Sequence, residues 1–214
     1  MMKRIAYFLH LPKCCGRYIR YRLGNNRGGN NEQFFNSRHS YFEEEQVDPK
    51  GDFERRAVPA KEIYFIFTVV RNPFDLLVSY FYSYRAGMHG WGNVNAIHGL
   101  WTFEDFIARF VDLTKDWHEP ALRAKLDFQL YFRGELLPEV VLRKENVVED
   151  LEKMAADNKL TMKKFEKRQI RGVVCASPRR QYQDYRKYYT DDMVALVTPF
   201  VAGYCARWGY SFEH

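Results

Sequence analysis

The sequence predicts an α/β protein with a mostly parallel sheet flanked by helices. Short apolar runs alternate with helical segments along the chain, which is the pattern of such folds. The run 63–70 (IYFIFTVV) is apolar throughout, and it is typical of a central parallel strand covered on both faces. Because 46% of the 214 residues are hydrophobic, the chain can bury one sizeable core, so we predict a single domain over residues 1–214.

The first half of the chain contains two predicted strand–loop–helix segments. Asn72 and Pro73 mark the start of the second helix, since asparagine suits an N-cap and proline suits the first turn. This second helix is apolar on nearly every side and should be largely buried. In chain order, the predicted elements are strand 4–9, helix 16–23, a loop or short strand within 32–42, strand 63–70 and helix 74–84.

The second half continues the alternation. Thr190 is the predicted N-cap of the last helix, and Gly209 should end it. The glycine-rich stretch 87–99 is predicted to be a loop. The predicted elements are helix 103–111, helix 121–132, strand 139–143, helix 147–156 and a last helix that extends to about residue 207.

The net charge of +6 is unevenly distributed. Residues 1–30 contain seven basic residues and no acidic one, and residues 161–190 contain nine basic residues against two acidic ones. Two basic segments in an otherwise acidic chain predict a local anion site rather than a nucleic-acid-binding surface. A non-catalytic module that binds polyanions through the same segments is the alternative.

The cysteines and the apolar runs predict where the protein acts. No apolar stretch approaches the roughly 20 residues of a membrane helix, and the N-terminus lacks a signal-peptide pattern. The cysteines have no zinc-type spacing, so we expect free thiols, no metal site and a cytoplasmic protein without a membrane partner. The four cysteines are Cys14, Cys15, Cys175 and Cys205.

Two basic side chains follow predicted strands. Lys13 lies in the loop between the first strand and the first helix, which is an anion-binding geometry, although the Walker A pattern is absent. Arg71 follows 63–70, and ligands of open α/β sheets bind at the carboxyl ends of the strands.

Three separated segments and the closing helix resemble the signatures of sulfotransferases that use 3′-phosphoadenosine 5′-phosphosulfate (PAPS). Segment 10–16 (HLPKCCG) resembles their H-x-P-K-T-G-G loop, and segment 68–80 (TVVRNPFDLLVSY) resembles their strand followed by R-N-P-x-D-R-L-x-S-x-Y. Segment 143–151 (RKENVVEDL) resembles R-x-E-N-L-x-x-D-L, and 188–191 with 208–212 resembles the closing helix. The order and spacing agree over nearly the whole chain.

The resemblance implies a three-layer, P-loop-like fold and a nucleotide site. Lys13 and the amides around Gly16 would hold the phosphosulfate, and Arg71 with Ser79 would bind the 3′-phosphate. Arg179 or Arg180 would also contact that phosphate, with solvated surface as the alternative for the other. The residues expected to bind the nucleotide are Lys13, Cys14, Cys15, Gly16, Arg17, Tyr18, Arg71, Ser79, Arg179 and Arg180.

The chain departs from the family pattern in four places. Cys14 and Cys15 stand where the family has Thr and Gly, so Cys15 must adopt a backbone conformation that Gly favours. Arg17 replaces a hydroxyl residue and could donate two hydrogen bonds in its place. Leu76 stands where the family has Arg.

The resemblance also implies the reaction, which is sulfonate transfer from PAPS to a hydroxyl, most typically of a glycan, with 3′-phosphoadenosine 5′-phosphate (PAP) as product and no metal. Lys13 would stabilise the leaving phosphate. His39 is the expected base, since histidine titrates near neutrality. Alternatively, His39 is a surface residue with only local hydrogen bonds, or the base is Glu43, Glu44 or Glu45. A nucleotide kinase of related topology is a further alternative, disfavoured because the Lys-Ser/Thr pair of the Walker A motif and an obvious Mg²⁺ carboxylate site are missing.

Overall fold

A computed structural model describes residues 5–23, 34–36, 63–85, 102–115, 126, 130–132, 135–164 and 180–213. Over these residues the protein is α/β with a parallel sheet. The chain forms two compact units, one from residues 1–70 with 129–175 and one from residues 71–128 with 176–214. The single domain predicted for residues 1–214 stays a prediction.

The first unit contains the parallel sheet. Its strands are β1 (Ile5–Leu9), β2 (Phe34–Asn36), β3 (Ile63–Val70) and, numbered in chain order after a short hairpin, β6 (Val140–Arg143). The strand order is β2-β1-β3-β6, and every neighbouring pair is parallel. The run predicted as a central strand is therefore β3, which pairs on both sides.

Two helices belong to the same unit, α1 (Gly16–Arg22) and α4 (Val147–Asp157). In the sheet, Phe8 of β1 stacks on Phe67 of β3 with ring centroids 5.0 Å apart. Arg22 at the end of α1 donates to the Tyr18 hydroxyl at 2.9 Å and to Glu152 of α4 at 3.0 Å. A largely buried arginine thus connects the two helices.

A short antiparallel hairpin corrects one prediction. The segment 121–132 was expected to be helical, but Tyr131–Phe132 is strand β4, paired with β5 (Glu135–Leu136). The amide of Leu137 also donates to the carbonyl of Leu130 at 2.8 Å. Pairing with β5 decides the backbone conformation of Tyr131–Phe132. Because β5 lies outside 121–132, the apolar pattern of that segment could not indicate the pairing.

The second unit is helical over the described residues. It contains α2 (Pro73–Arg85), α3 (Phe103–Lys115), a 3₁₀ turn (Tyr185–Tyr188) and α5 (Asp191–Trp208). Apolar side chains of α2, α3 and α5 form one buried cluster, comprising Phe74, Leu77, Val78, Phe81, Phe103, Phe106, Ile107, Met193, Val197 and Val201.

The helix ends follow the predicted caps. The Asn72 side chain accepts from the amide of Phe74 at 3.0 Å, with Pro73 as the first residue of α2. The Thr190 hydroxyl accepts from the amide of Met193 at 3.3 Å. Gly209 ends α5 with φ 66°, a left-handed conformation that favours glycine. Both predicted N-caps are confirmed.

Within the described residues, no helix is long and apolar enough to cross a membrane.

Candidate functional site

The strand-end arginine is fixed at both its backbone and its side chain. Arg71 directly follows β3, precedes α2 and is 1% exposed. Its amide donates to the Tyr204 hydroxyl of α5 at 3.2 Å. Its Nε donates to Oδ2 of Asp75, one turn further along, at 2.7 Å. The guanidinium group is therefore held in place at the start of the second unit.

A second arginine converges on the same carboxylate. Nη1 of Arg180 donates to Oδ1 of Asp75 at 2.5 Å, and its Nη2 donates to the backbone carbonyl of Asp75 at 2.9 Å. The side chain of Arg180 is only 5% exposed. The next amide, that of Gln181, donates to the Tyr82 hydroxyl of α2 at 3.2 Å, which fixes the segment beside the helix. Arg71 and Arg180, expected to act together, thus share Asp75.

Burial and the neighbouring charges act together on Arg180. Asp75 pairs with the guanidinium groups of both Arg71 and Arg180. Burial lowers the pKa of Arg180, repulsion from Arg71 lowers it further, and Asp75 opposes both effects. The Nε of Arg180 is buried and has no hydrogen-bond partner among the described residues. A buried donor without an acceptor favours a ligand that supplies one.

Ser79 lies on the same helix as Asp75, one turn further on, and is 4% exposed. Residues four apart share a helix face, so Asp75 and Ser79 lie on one side of α2. Arg71 precedes the first helical residue, Pro73, as the spacing from Arg71 to Ser79 required. The sequence motifs assign no role to Asp75. Its separation of four residues from Arg71 is nevertheless the spacing of an ion pair along a helix, and this signal could have identified it.

The C-terminal segment supports the start of α2. The Asn72 side-chain amide donates to the Tyr185 hydroxyl at 3.1 Å and to the carbonyl of Ser211 at 2.8 Å. The Tyr189 hydroxyl donates to the carbonyl of Phe74 at 2.9 Å, and burial raises the pKa of this tyrosine well above its usual value. The ring of Phe212 packs edge-on against Phe74 at 5.1 Å. These contacts make the start of α2 rigid, which fixes the positions of Arg71 and Asp75 relative to each other.

The loop between β1 and α1 adopts two unusual backbone conformations. Lys13 has φ 63° and Cys15 has φ 55°, in the left-handed region. We predicted that Cys15 adopts a backbone conformation that glycine favours, because it stands where the family has glycine, and this prediction is confirmed. Gly16, the first residue of α1, lies against the His10 ring, since an added Cβ would be 1.9 Å from His10 Nε2. His10 therefore orders this loop by packing.

The other residues expected in this loop have different environments. Cys14 is fully buried with a free thiol, and Arg17 is exposed. Tyr18 is also fully buried, and its hydroxyl accepts a hydrogen bond from Arg22. Lys13 itself is half-buried.

The expectation of free thiols is wrong for one residue. Cys15 is disulfide-bonded, whereas Cys14 and Cys205 are free. The remaining cysteine of the chain, Cys175, lies outside the described residues. Spacing along the sequence could not reveal the bond, because a disulfide depends on proximity in three dimensions.

Several predicted functional residues also lie outside the described residues. They are His39, Glu43, Glu44, Glu45 and Arg179. Among the described residues, no group of three or more His, Cys, Asp or Glu side chains is arranged to hold a metal ion.

Comparison of the chain with protein-family models, with curated proteins and with solved structures found no match. The resemblance to PAPS-dependent sulfotransferases therefore remains an expectation from the sequence motifs.

Proposed function

We propose that this protein is a sulfotransferase that transfers a sulfonate group from PAPS to a hydroxyl, with a glycan as the acceptor class. The observation that carries the proposal is the convergence of Arg71 and Arg180 on Asp75, together with the buried Nε of Arg180, which has no acceptor among the described residues. These are the strand-end arginine and the closing-loop arginine that the motifs assign to the 3′-phosphate. A phosphate dianion would supply the missing acceptor and would form charge-assisted hydrogen bonds with the arginines.

The nucleotide's other end is assigned to the loop between β1 and α1. In-line sulfuryl transfer resembles phosphoryl transfer, because negative charge builds on the leaving phosphate oxygen. The Lys13 ammonium would donate to that oxygen as the bond to sulfur breaks, which stabilises the departing PAP without a metal. The left-handed backbone at Lys13 and Cys15 gives this loop a sharply turned path between strand and helix.

The acceptor hydroxyl must lose a proton as its oxygen attacks sulfur. His39 is the proposed base, because its ordinary pKa lies near neutrality, and the cluster Glu43 to Glu45 is the alternative. The acceptor oxygen forms a bond to sulfur, the bond from sulfur to the phosphate oxygen breaks, and the proton moves to the base. A three-layer, P-loop-like arrangement of the whole chain belongs to the same proposal.

The disulfide at Cys15 bears on where the reaction would occur. The sequence predicts a cytoplasmic protein, and this stays a prediction. A structural disulfide favours an oxidising compartment instead, because cytosolic thiols are kept reduced.

Calorimetry with three nucleotides tests the proposal. We expect PAP to bind more tightly than AMP or ATP at moderate salt, because only PAP carries a 3′-phosphate. A hydrogen bond to a charged group contributes roughly 1.5–3 kcal/mol, so Arg180→Gln should weaken PAP binding by about tenfold to a hundredfold. Arg186→Gln is the matched control, because Arg186 is about half exposed and pairs with Asp184.

Two results would contradict the proposal. Equal affinity for PAP, AMP and ATP would indicate a polyanion-binding module, and so would an equal loss of affinity in Arg180→Gln and Arg186→Gln. Tighter binding of ATP would favour a nucleotide kinase. Release of PAP from PAPS in the presence of glycan acceptors, compared with a panel of small phenols and alcohols, then tests the acceptor class.

A further inference from the structure

Asp75 accepts hydrogen bonds from two arginines that lie far apart in the sequence. Its Oδ2 accepts from Arg71 Nε, its Oδ1 accepts from Arg180 Nη1, and its backbone carbonyl accepts from Arg180 Nη2. All three side chains are at least nine-tenths buried. One residue therefore orients both guanidinium groups at once.

Without the carboxylate, the two arginines would repel each other in a buried environment. Burial and the charge of Arg71 both disfavour the charged form of Arg180, and Asp75 is the group that offsets them. Removing one partner of a buried ion cluster leaves an uncompensated charge, which is strongly unfavourable. Arg180 would then be expected to leave Arg71 and turn toward solvent.

The cluster also contains a hydrogen-bond donor that Asp75 does not use. Both arginines pair with Asp75 through other nitrogen atoms, Nε of Arg71 and Nη1 of Arg180. The Nε of Arg180 remains buried without a partner among the described residues. The arrangement keeps the arginines together and leaves one buried donor, Nε of Arg180, for the oxygen of a further anion.

We propose that Asp75 is a positioning residue for the 3′-phosphate, acting through Arg71 and Arg180 rather than by contact with the nucleotide. This inference rests on the proposed function. Asp75 holds the two guanidinium groups side by side before the nucleotide binds, so the phosphate dianion does not have to assemble its own site. The conformational entropy of the two arginine side chains is therefore lost during folding and not when the nucleotide binds, which is the general advantage of a preorganised site.

The experiment measures the contribution of the 3′-phosphate as the ratio of the dissociation constants of AMP and PAP. Asp75→Asn should lower this ratio at least tenfold and leave the affinity for AMP unchanged, since AMP lacks the 3′-phosphate. Asp75→Glu keeps the carboxylate but shifts it by one methylene, and it should lower the ratio by about threefold. Asp192→Asn is the control, because it removes an exposed carboxylate of α5 in the same unit.

A double variant separates positioning from general stability. If Asp75 acts through the arginines, Asp75→Asn should lose most of its effect on the ratio in an Arg180→Gln background. A general loss of stability would lower AMP affinity as well and would persist in that background. Circular dichroism checks that each variant is folded, and if Asp75→Asn is not folded, Asp75→Glu decides.

The outcomes for this inference and for the proposed function are distinct. A wild-type ratio near one would overturn the proposed function, whatever the variants do. A large wild-type ratio that Asp75→Asn leaves unchanged would overturn only the role of Asp75. A ratio that rises in Asp75→Asn would also overturn it, because the carboxylate would then compete with the phosphate. An unchanged ratio in Asp75→Glu, should that variant decide, has the same meaning.

Discussion

The ring of His10 determines which residue position 16 can hold. A Cβ atom on Gly16 would lie 1.9 Å from Nε2 and 2.2 Å from Cε1 of His10. His10 is buried, and its ring stacks on Phe8 with centroids 5.2 Å apart. The substitution Gly16→Ala must therefore displace a packed ring at the start of the loop assigned to the phosphosulfate.

The sign of the effect follows from two opposing terms. Overpacking a buried site costs about 1–3 kcal/mol. Replacing glycine by alanine in a helix stabilises by up to about 1 kcal/mol, and by less at the first residue of α1. Taking about 0.5 kcal/mol for the stabilising term at this position, we expect Gly16→Ala to lower the free energy of unfolding by about 0.5–2.5 kcal/mol.

The chain offers a matched control for this substitution. Gly203 is an exposed residue of α5, and an added Cβ there would meet no atom within 4 Å. Gly203→Ala should therefore stabilise the protein by about 0.5–1 kcal/mol. The same chemical change in two helices is expected to have opposite signs.

Urea unfolding measures both variants. Gly16→Ala should unfold at a lower urea concentration than the parent protein, and Gly203→Ala at a higher one. Much of the loss from Gly16→Ala should disappear in a His10→Ala background, because the obstructing ring is gone. A stabilising Gly16→Ala, or a loss that is the same with and without the ring, would refute the packing of His10 against position 16.

Four further predictions concern separate residues. Lys13→Ala should lower turnover at least ~100-fold with the protein still folded, and a wild-type rate would remove its assignment to the leaving phosphate. His39→Ala should lower turnover by ~100-fold or more, and retained activity would place the base elsewhere. Cys15 should react with an alkylating reagent in denaturant only after reduction, which peptide mapping can check. Hydrogen bonds from Thr102 lower the pKa of Asp105, so the contribution of this carboxylate to stability is present above about pH 4 and is lost as the pH falls further. The free energy of unfolding should therefore depend less on pH in the acid range in Asp105→Asn than in the parent protein. Curves of unfolding free energy against pH that superimpose for the two proteins would contradict this prediction.

The elements with strong local signals were predicted closely. The run 63–70 coincides with β3, because a continuous apolar, β-branched and aromatic segment fits little other than a buried strand. The start of α2 followed from Asn72 and Pro73, and the limits of α5 followed from Thr190 and Gly209. In each case the residues that decide the structure are neighbours in the sequence.

The sequence motifs predicted only part of the candidate site. The motifs indicated Arg71, Ser79 and either Arg179 or Arg180 as a phosphate site, yet they assigned no role to Asp75, which Arg71 and Arg180 both contact. The hairpin of β4 and β5 and the disulfide at Cys15 were missed as well. Each of these depends on a partner that the local pattern does not specify.

The sequence alone therefore determined the strand and helix segments that have strong local signals, the uneven charge and the positions of the candidate cations, because these depend on side-chain type and on spacing along the chain. Only the tertiary structure decided that Arg180 joins Arg71 on a single carboxylate, and that His10 occupies the space beside Gly16. Charge pairing and close packing act between atoms that are near in space, and separation along the chain does not determine that distance.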